Sequence, residues 1–154
     1  MKRPTKYSPQ VICVAVQLFC QLRSGQGQST LTLPMPVRRV YGNPQVSQQA
    51  RKVALQRGPL IYCLEEADNG ANLHNLSLPQ DSAFRVFEGK GIFAHKMLIQ
   101  AEGIGCQAKD TDALWQYDHS PVERQPRTLT FIPWFSWANR GEGEMRIWVD
   151  EGII

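Results

Sequence analysis

The stretch Val53-Ala54-Leu55-Gln56-Arg57-Gly58-Pro59-Leu60-Ile61-Tyr62-Cys63-Leu64-Glu65 decides the fold class of this chain. Its two apolar runs are separated by four residues that end in Gly-Pro, a pair that marks either a turn or a bulge. The second run is short and rich in strand-favouring residues, which indicates a core strand rather than a helix. We therefore predict a buried strand with a kink at the Gly58-Pro59 break, covered by strands from the rest of the chain.

Short strand patterns recur along the sequence on both sides of this stretch. Leu31, Leu33 and Met35 alternate with polar residues or proline, and prolines in a strand are tolerated at an edge, so this segment is predicted as an edge strand. Further strands are predicted at 84–87, 92–101, 128–137 and 145–149. Seven or eight such strands without a convincing helix predict an all-β fold, an antiparallel β-sandwich.

Turn and loop signals separate these strands. Asp68-Asn69-Gly70 is predicted to close the strand at Leu60 as a tight turn, because Asn and Gly accept a positive φ. Gly89-Lys90-Gly91 is predicted as a second turn, and Gly141-Glu142-Gly143 as the turn before the last strand. The polar segment 110–126 is predicted as a long surface loop.

Composition excludes several classes of protein. The 154 residues are 42% hydrophobic and carry a net charge of +3, so a globular fold is the default. Lys and Arg are scattered, which argues against a nucleic-acid-binding surface. The four cysteines are widely spaced and no pair has CxxC spacing, which argues against a disulfide scaffold and against a zinc ribbon. They are Cys13, Cys20, Cys63 and Cys106.

Residues 1–28 differ in character from the rest of the chain. Basic residues precede an apolar run from Val11 to Cys20, an order that imitates a secretory signal, but the run is too short to cross a bilayer, which needs about 20 residues. Gln17 interrupts the run and no A-x-A-like cleavage site follows. We favour an unstructured segment foreign to the fold over a signal peptide. The compartment stays open between the bacterial cytoplasm and the periplasm or exterior, and no membrane partner is predicted.

No combination of residues satisfies the requirements of a catalytic or metal site. Glu65 and Glu66 are adjacent on a strand, so their side chains point to opposite faces and cannot form the facing pair that glycoside hydrolysis needs. Glu142 and Glu144 are expected to be solvated charges in a turn. The histidines lack ligand spacing, and Cys63 is expected to be a small buried hydrophobe.

One aromatic cluster has a composition that suits binding. Trp134 and Trp137 flank Phe135 and are followed by Asn139 and Arg140. Aromatic faces stack on sugar rings while amides and guanidinium groups hold hydroxyls, but the same composition is typical of domain interfaces. We favour an interface, at which Arg140 bonds a loop carboxylate or backbone carbonyls.

Four segments in a fixed order resemble the C-terminal part of glycoside hydrolase family 127, the β-L-arabinofuranosidase-like enzymes. The resemblance spans Leu31 to Val149, and its segments are Leu33-Pro34-Met35-Pro36-Val37-Arg38-Arg39-Val40, Asn43-Pro44-Gln45-Val46, Ala54 to Glu65, and Ile132-Pro133-Trp134 with Trp137 to Met145. It implies two small β-sandwiches, with 29–52 and 128–154 in the first and 53–127 in the second. It also implies that the catalytic glutamate, the nucleophilic cysteine and its zinc belong to an α/α barrel that precedes this region.

The resemblance gives the functional expectation. This chain is expected to be a non-catalytic β-sandwich portion, without a cofactor or metal of its own, that supports the catalytic barrel and subunit contacts in a homo-oligomer. The alternative is a free-standing sandwich that binds arabinose-containing, plant-type glycans through Trp134, Trp137, Asn139 and Arg140.

Overall fold

The computed structural model describes residues 34–108 and 122–152. Residues 35–152, where described, belong to one compact unit. The predicted foreign segment 1–28 and most of the predicted loop 110–126 lie outside the described residues. No helix in the described ranges is long and apolar enough to cross a membrane.

The stretch Val53 to Glu65 forms two strands rather than one kinked strand. Strand β2 (Lys52–Arg57) and strand β3 (Leu60–Glu65) pair antiparallel, with Leu55 opposite Tyr62 and Arg57 opposite Leu60. Gly58 has a φ of +58°, and Pro59 fixes its own φ near −65°, which is the order of a type II′ hairpin turn. The prediction of a kinked strand was therefore wrong, and the Gly-Pro break is a tight hairpin turn.

Nine strands in the described residues form one hydrogen-bonded sheet. Besides β2 and β3 these are β1 (Val37–Tyr41), β4 (Leu76–Ser77), β5 (Phe84–Glu88), β6 (Met97–Ala108), β7 (Val122–Pro133), β8 (Met145–Arg146) and β9 (Val149–Asp150). The pairings close a ring in the order β2–β9–β4–β6–β7–β3 and back to β2, to which β1, β5 and β8 add at the side. The ring therefore contains strands from the N-terminal part (β2 and β3), the middle (β4 and β6) and the C-terminal part (β7 and β9) of the described chain.

This topology confirms the predicted all-β class. Each pair of the described strands is antiparallel except β4 with β9, which run parallel where Ser77 lies opposite Asp150. Among the described strands β1 pairs only with β2. The edge strand predicted from Leu31 to Met35 lies partly outside the described residues, and its residues 34 and 35 are not in a strand. The division of the chain into two sandwiches, 29–52 with 128–154 and 53–127, stays a prediction.

The longest pairing joins β6 and β7 and corrects three predicted boundaries. The ladder runs from Ile99 opposite Phe131 to Ala108 opposite Val122, so residues 122–126 are strand and not loop. Strand β6 begins at Met97, later than predicted, because a 3₁₀ turn occupies Gly91–Phe93. Strand β7 ends at Pro133, which lies opposite Tyr62, whereas the strand was predicted to continue to residue 137.

Two further local predictions were wrong. The predicted tight turn at Asp68 is a one-turn helix α1 (Glu66–Asn69) that ends at Gly70 with a φ of +82°. The Asn69 amide donates to Glu65 O and Thr130 O and accepts from Thr130 N, which ties the helix to β7. The predicted last strand is interrupted between β8 and β9.

The two faces of the sheet bury separate cores because side chains alternate along each strand. Tyr62 and Leu64 lie in the larger core, whose other buried members are Val53, Leu55, Leu73, Leu76, Leu78, Ile99, Ala101, Leu129, Phe131 and Val149. Cys63, which alternates with them, lies in a smaller core with Phe93, Leu98 and Ile132. Glu65 is also buried, with 3% of its surface exposed.

Candidate functional site

The segment that follows β7 carries the predicted aromatic cluster. A 3₁₀ turn at Trp134–Ser136 directly follows Pro133, and this segment from 134 to 140 is called the aromatic loop below. Trp134, Phe135 and Trp137 are 51%, 57% and 40% exposed. Three large aromatic side chains are thus held at the surface although their burial would be favourable.

Arg140 fixes the end of the aromatic loop to two carboxylates. Its Nε and Nη2 donate to Glu65 Oε2, the former over 3.1 Å, and its Nη1 donates to Asp68 Oδ1 over 2.7 Å. The Glu65 side chain is 4% exposed, whereas those of Arg140 and Asp68 are 22% and 20% exposed. Glu65 Oε1 also accepts the N–H of Ala138 over 3.2 Å. The end of β3 and helix α1 therefore hold the aromatic loop in place.

The local electrostatics favour a permanently charged Arg140. The hydrogen bond to Asp68 raises the pKa of Arg140 most, burial lowers it, and the bond to Glu65 raises it further, so the pKa lies above its ordinary value. The guanidinium carbon lies 4.7 Å from the centroid of the Phe93 ring, within the range of a cation–π contact. Two carboxylates and one ring thus surround the guanidinium.

Asn139 and Ala138 serve the internal structure of the aromatic loop. Asn139 Nδ2 donates to Ser136 O over 2.9 Å. Ala138 has a φ of +62°, a left-handed conformation that is uncommon for a residue other than glycine. Asn139 and Arg140, the candidates for holding sugar hydroxyls, therefore already donate side-chain hydrogen bonds within the chain.

The structure brings the four predicted contact residues, Trp134, Trp137, Asn139 and Arg140, together in one loop, but what they contact stays a prediction. Arg140 bonds Asp68, which lies in helix α1 and not in a loop, and a role of Arg140 at an interface stays a prediction. Its second partner, Glu65, was not predicted from the sequence. Glu65 could have been recognised as a partner of a basic residue because it is a carboxylate at the end of an otherwise buried strand, and a buried charge needs a partner.

Glu144, which was predicted to be a solvated charge in a turn, accepts hydrogen bonds within the chain. Glu144 is exposed, yet its carboxylate accepts the N–H groups of Asn72 and Leu73, over 3.2 and 2.7 Å, at the start of a 3₁₀ turn. The Glu66 carboxylate in turn accepts the N–H of Glu144 over 2.8 Å. Glu144 is therefore a cap in a hydrogen-bonded network and not merely a solvated charge.

Glu65 and Cys63 are residue types that glycosidases use, but each is held in an unreactive setting. Glu65 is engaged by Arg140, and burial is the main cause that raises the pKa of the Cys63 thiol to about 12, which leaves it protonated at neutral pH. Within the described ranges no group of three His, Cys, Asp or Glu side chains lies close enough to hold a metal. Zinc therefore does not fit the side chains described here.

A separate cavity of about 440 Å³ lies beside the parallel pair β4 and β9. Its lining includes Arg51, Arg124 and Glu151, and none of the residues of the aromatic loop contributes to it. Both polar and apolar residues line it, and Asp150 and Glu151 are neighbours in the lining. Among the described residues no group of three His, Cys, Asp or Glu side chains there could hold a metal ion.

Comparisons with known proteins agree with this architecture. The sequence model of the glycoside hydrolase family 127 C-terminal domain matches residues 37–150. The non-reducing end β-L-arabinofuranosidase of Bifidobacterium longum subsp. longum is 34% identical over 129 residues, which are 76% of this chain and 18% of that protein.

Solved structures give the same result. A family 127 β-L-arabinofuranosidase from Geobacillus stearothermophilus T6 is 41% identical with a TM-score of 0.68, covering 77% of this chain and 19% of that one. A second structure, a family 127 β-arabinofuranosidase, is 30% identical with a TM-score of 0.67, covering 77% of this chain and 17% of that one. The chain thus spans about a fifth of the length of these relatives. It belongs to glycoside hydrolase family 127, of which it carries the C-terminal domain.

Proposed function

We propose that this chain is the non-catalytic β portion of a β-L-arabinofuranosidase-like enzyme, in which it supports the catalytic barrel and the contacts between subunits. The observation that carries the proposal is the aromatic loop, which exposes Trp134, Phe135 and Trp137 while Arg140 fixes it to two carboxylates. A rigid segment that presents large aromatic side chains is typical of the buried centre of an interface.

A glycan is the alternative occupant of this surface. The exposed faces of Trp134 and Trp137 would suit stacking on a sugar ring. The side-chain N–H groups of Asn139 and Arg140, however, already donate within the chain, so few directional donors remain for hydroxyl groups. Titrating arabinose-containing glycans while recording tryptophan fluorescence separates the two functions, because only the alternative predicts saturable binding by the isolated chain.

A chimeric enzyme tests the proposal directly. In the Geobacillus enzyme, the C-terminal region that this chain matches is replaced by residues 34–152, and soluble yield, Tm and hydrolysis of p-nitrophenyl β-L-arabinofuranoside are measured. We expect the chimera to be soluble and active and the same enzyme truncated before this region to be poorly soluble or less stable. A chimera that behaves no better than the truncated enzyme would contradict the proposal.

Variants of the aromatic loop locate the contact within the chimera. Phe135→Ser and Trp134→Ser should lower the Tm of the chimera by more than that of the isolated chain, because both side chains are exposed in the isolated chain. Val46→Ser is the matched control, since Val46 is 46% exposed but lies outside the aromatic loop. Equal losses in the isolated chain and the chimera would place the contact elsewhere.

A further inference from the structure

Lys96 lies beside the aromatic loop, in the connection between β5 and β6. Its Nζ is 5.7 Å from the ring centroids of both Phe93 and Phe135, so the ammonium group contacts two aromatic side chains. The same nitrogen donates to Ile92 O over 3.2 Å. Lys96 thus connects the aromatic loop to the loop that carries Ile92, which is itself 52% exposed.

The charge of Lys96 has no counter-charge in the part of the chain that the structure describes. The carboxylates of Glu65 and Asp68 pair with Arg140, and Glu88 lies 3.4 Å from His95. Among the described residues no carboxylate forms an ion pair with Lys96. An ammonium group has three N–H donors, so at least one more acceptor can be accommodated.

Covering this surface changes the environment of Lys96. Lys96 is already half-buried, and a partner that covers Phe135 and Ile92 would remove much of its remaining water. A charge that loses its water is costly unless an opposite charge replaces it. The partner must therefore be apolar toward the rings and acidic toward Lys96.

We propose that the aromatic loop docks on the remainder of the enzyme, on a surface that presents a carboxylate to Lys96 within an otherwise apolar contact. The inference rests on the proposed function, because the relatives carry about four fifths of their length outside the region matched by this chain. A protein is favoured over a sugar because Asn139 and Arg140 of the loop already donate side-chain hydrogen bonds within the chain.

Charge variants in the chimera test this inference. Lys96→Met keeps the length and apolar stem of the side chain but leaves the partner carboxylate unpaired, so we expect the Tm of the chimera to fall by about 4 °C or more. Lys96→Arg should retain most of the Tm, and Lys96→Glu should lower it further than methionine does. In the isolated chain, Lys96→Met should change the Tm little. Lys90→Met is the matched control, because Lys90 is exposed on the same connection.

The outcomes distinguish this inference from the proposed function. If the chimera is stable and active and its Lys96→Met variant has the wild-type Tm or a higher one, the proposed carboxylate opposite Lys96 is refuted, whereas the proposed interface is not. A chimera that fails to assemble would overturn both. Saturable binding of polygalacturonate by the isolated chain that is lost in Lys96→Met would assign the carboxylate to an acidic sugar and overturn the protein partner.

Discussion

Replacing Arg140 with methionine should destabilise the chain more than any comparable change of a surface charge. The substitution leaves the Glu65 carboxylate, 4% exposed, with the N–H of Ala138 as its only remaining partner among the described residues. Breaking a buried ion pair by removing one partner costs about 3–5 kcal/mol. Because the Arg140 and Asp68 side chains are about a fifth exposed, solvent screens part of the interaction, and we expect a loss of about 2–3 kcal/mol.

Urea unfolding followed by tryptophan fluorescence measures this loss. Arg140→Lys should fall between wild type and Arg140→Met, since one ammonium group cannot reproduce the forked contacts to both Glu65 and Asp68. The double variant Glu65→Gln with Arg140→Met should recover part of the loss, because no buried charge is then left unpaired. Glu88→Gln is the control, as its pair with His95 is largely exposed and should contribute little. A free energy of unfolding for Arg140→Met within about 0.5 kcal/mol of wild type would refute the reasoning.

Three further predictions address the core, the thiols and the chemistry. Gly103→Ala should destabilise the chain by about 1–3 kcal/mol in the same assay, because the added Cβ would overlap the Leu129 side chain in the core. Cys63 should resist alkylation at pH 8, while the half-buried Cys106 should react. Burial raises the pKa of the Cys63 thiol to about 12, so the stability that the protonated thiol contributes should be present below about pH 9 and be lost as the pH rises toward 12. Cys63→Ala should reduce this fall of the unfolding free energy with pH. The isolated chain should not hydrolyse p-nitrophenyl β-L-arabinofuranoside with or without zinc, and turnover that disappears in Glu65→Gln would contradict this.

Strands with buried apolar side chains could be predicted from the sequence. Strand segments that are extended only because their backbone pairs with a neighbouring strand could not. Phe84–Glu88 and the core run at Leu60 stand out because their side chains pack against the cores. Residues 123–125 are exposed and polar and are followed by the exposed Pro126, so nothing local marks this segment as strand. They are extended because β6 continues to Ala108 and supplies backbone partners.

The same distinction explains the hairpin at Gly58-Pro59. A kinked strand and a hairpin need the same local sequence, an apolar run on each side of a flexible break. Only the pairing of Leu55 with Tyr62 shows that the chain reverses. That pairing brings the Tyr62 ring into the larger core and so sets which face Cys63 and Glu65 occupy.

The candidate site is linked to the fold through Phe93. This residue is 6% exposed and packs with Cys63, Leu98 and Ile132 in the smaller core, while its ring lies 4.7 Å from the Arg140 guanidinium and 5.7 Å from the Lys96 ammonium. The sequence alone could predict the aromatic cluster, since Trp134, Phe135 and Trp137 lie within four positions. It could not predict Phe93, which reaches the site from more than forty residues away because β5, β6 and β7 are neighbours. The position of the aromatic loop therefore depends on the packing of the core beneath it, and a substitution that disturbs Phe93 should displace both cations at once.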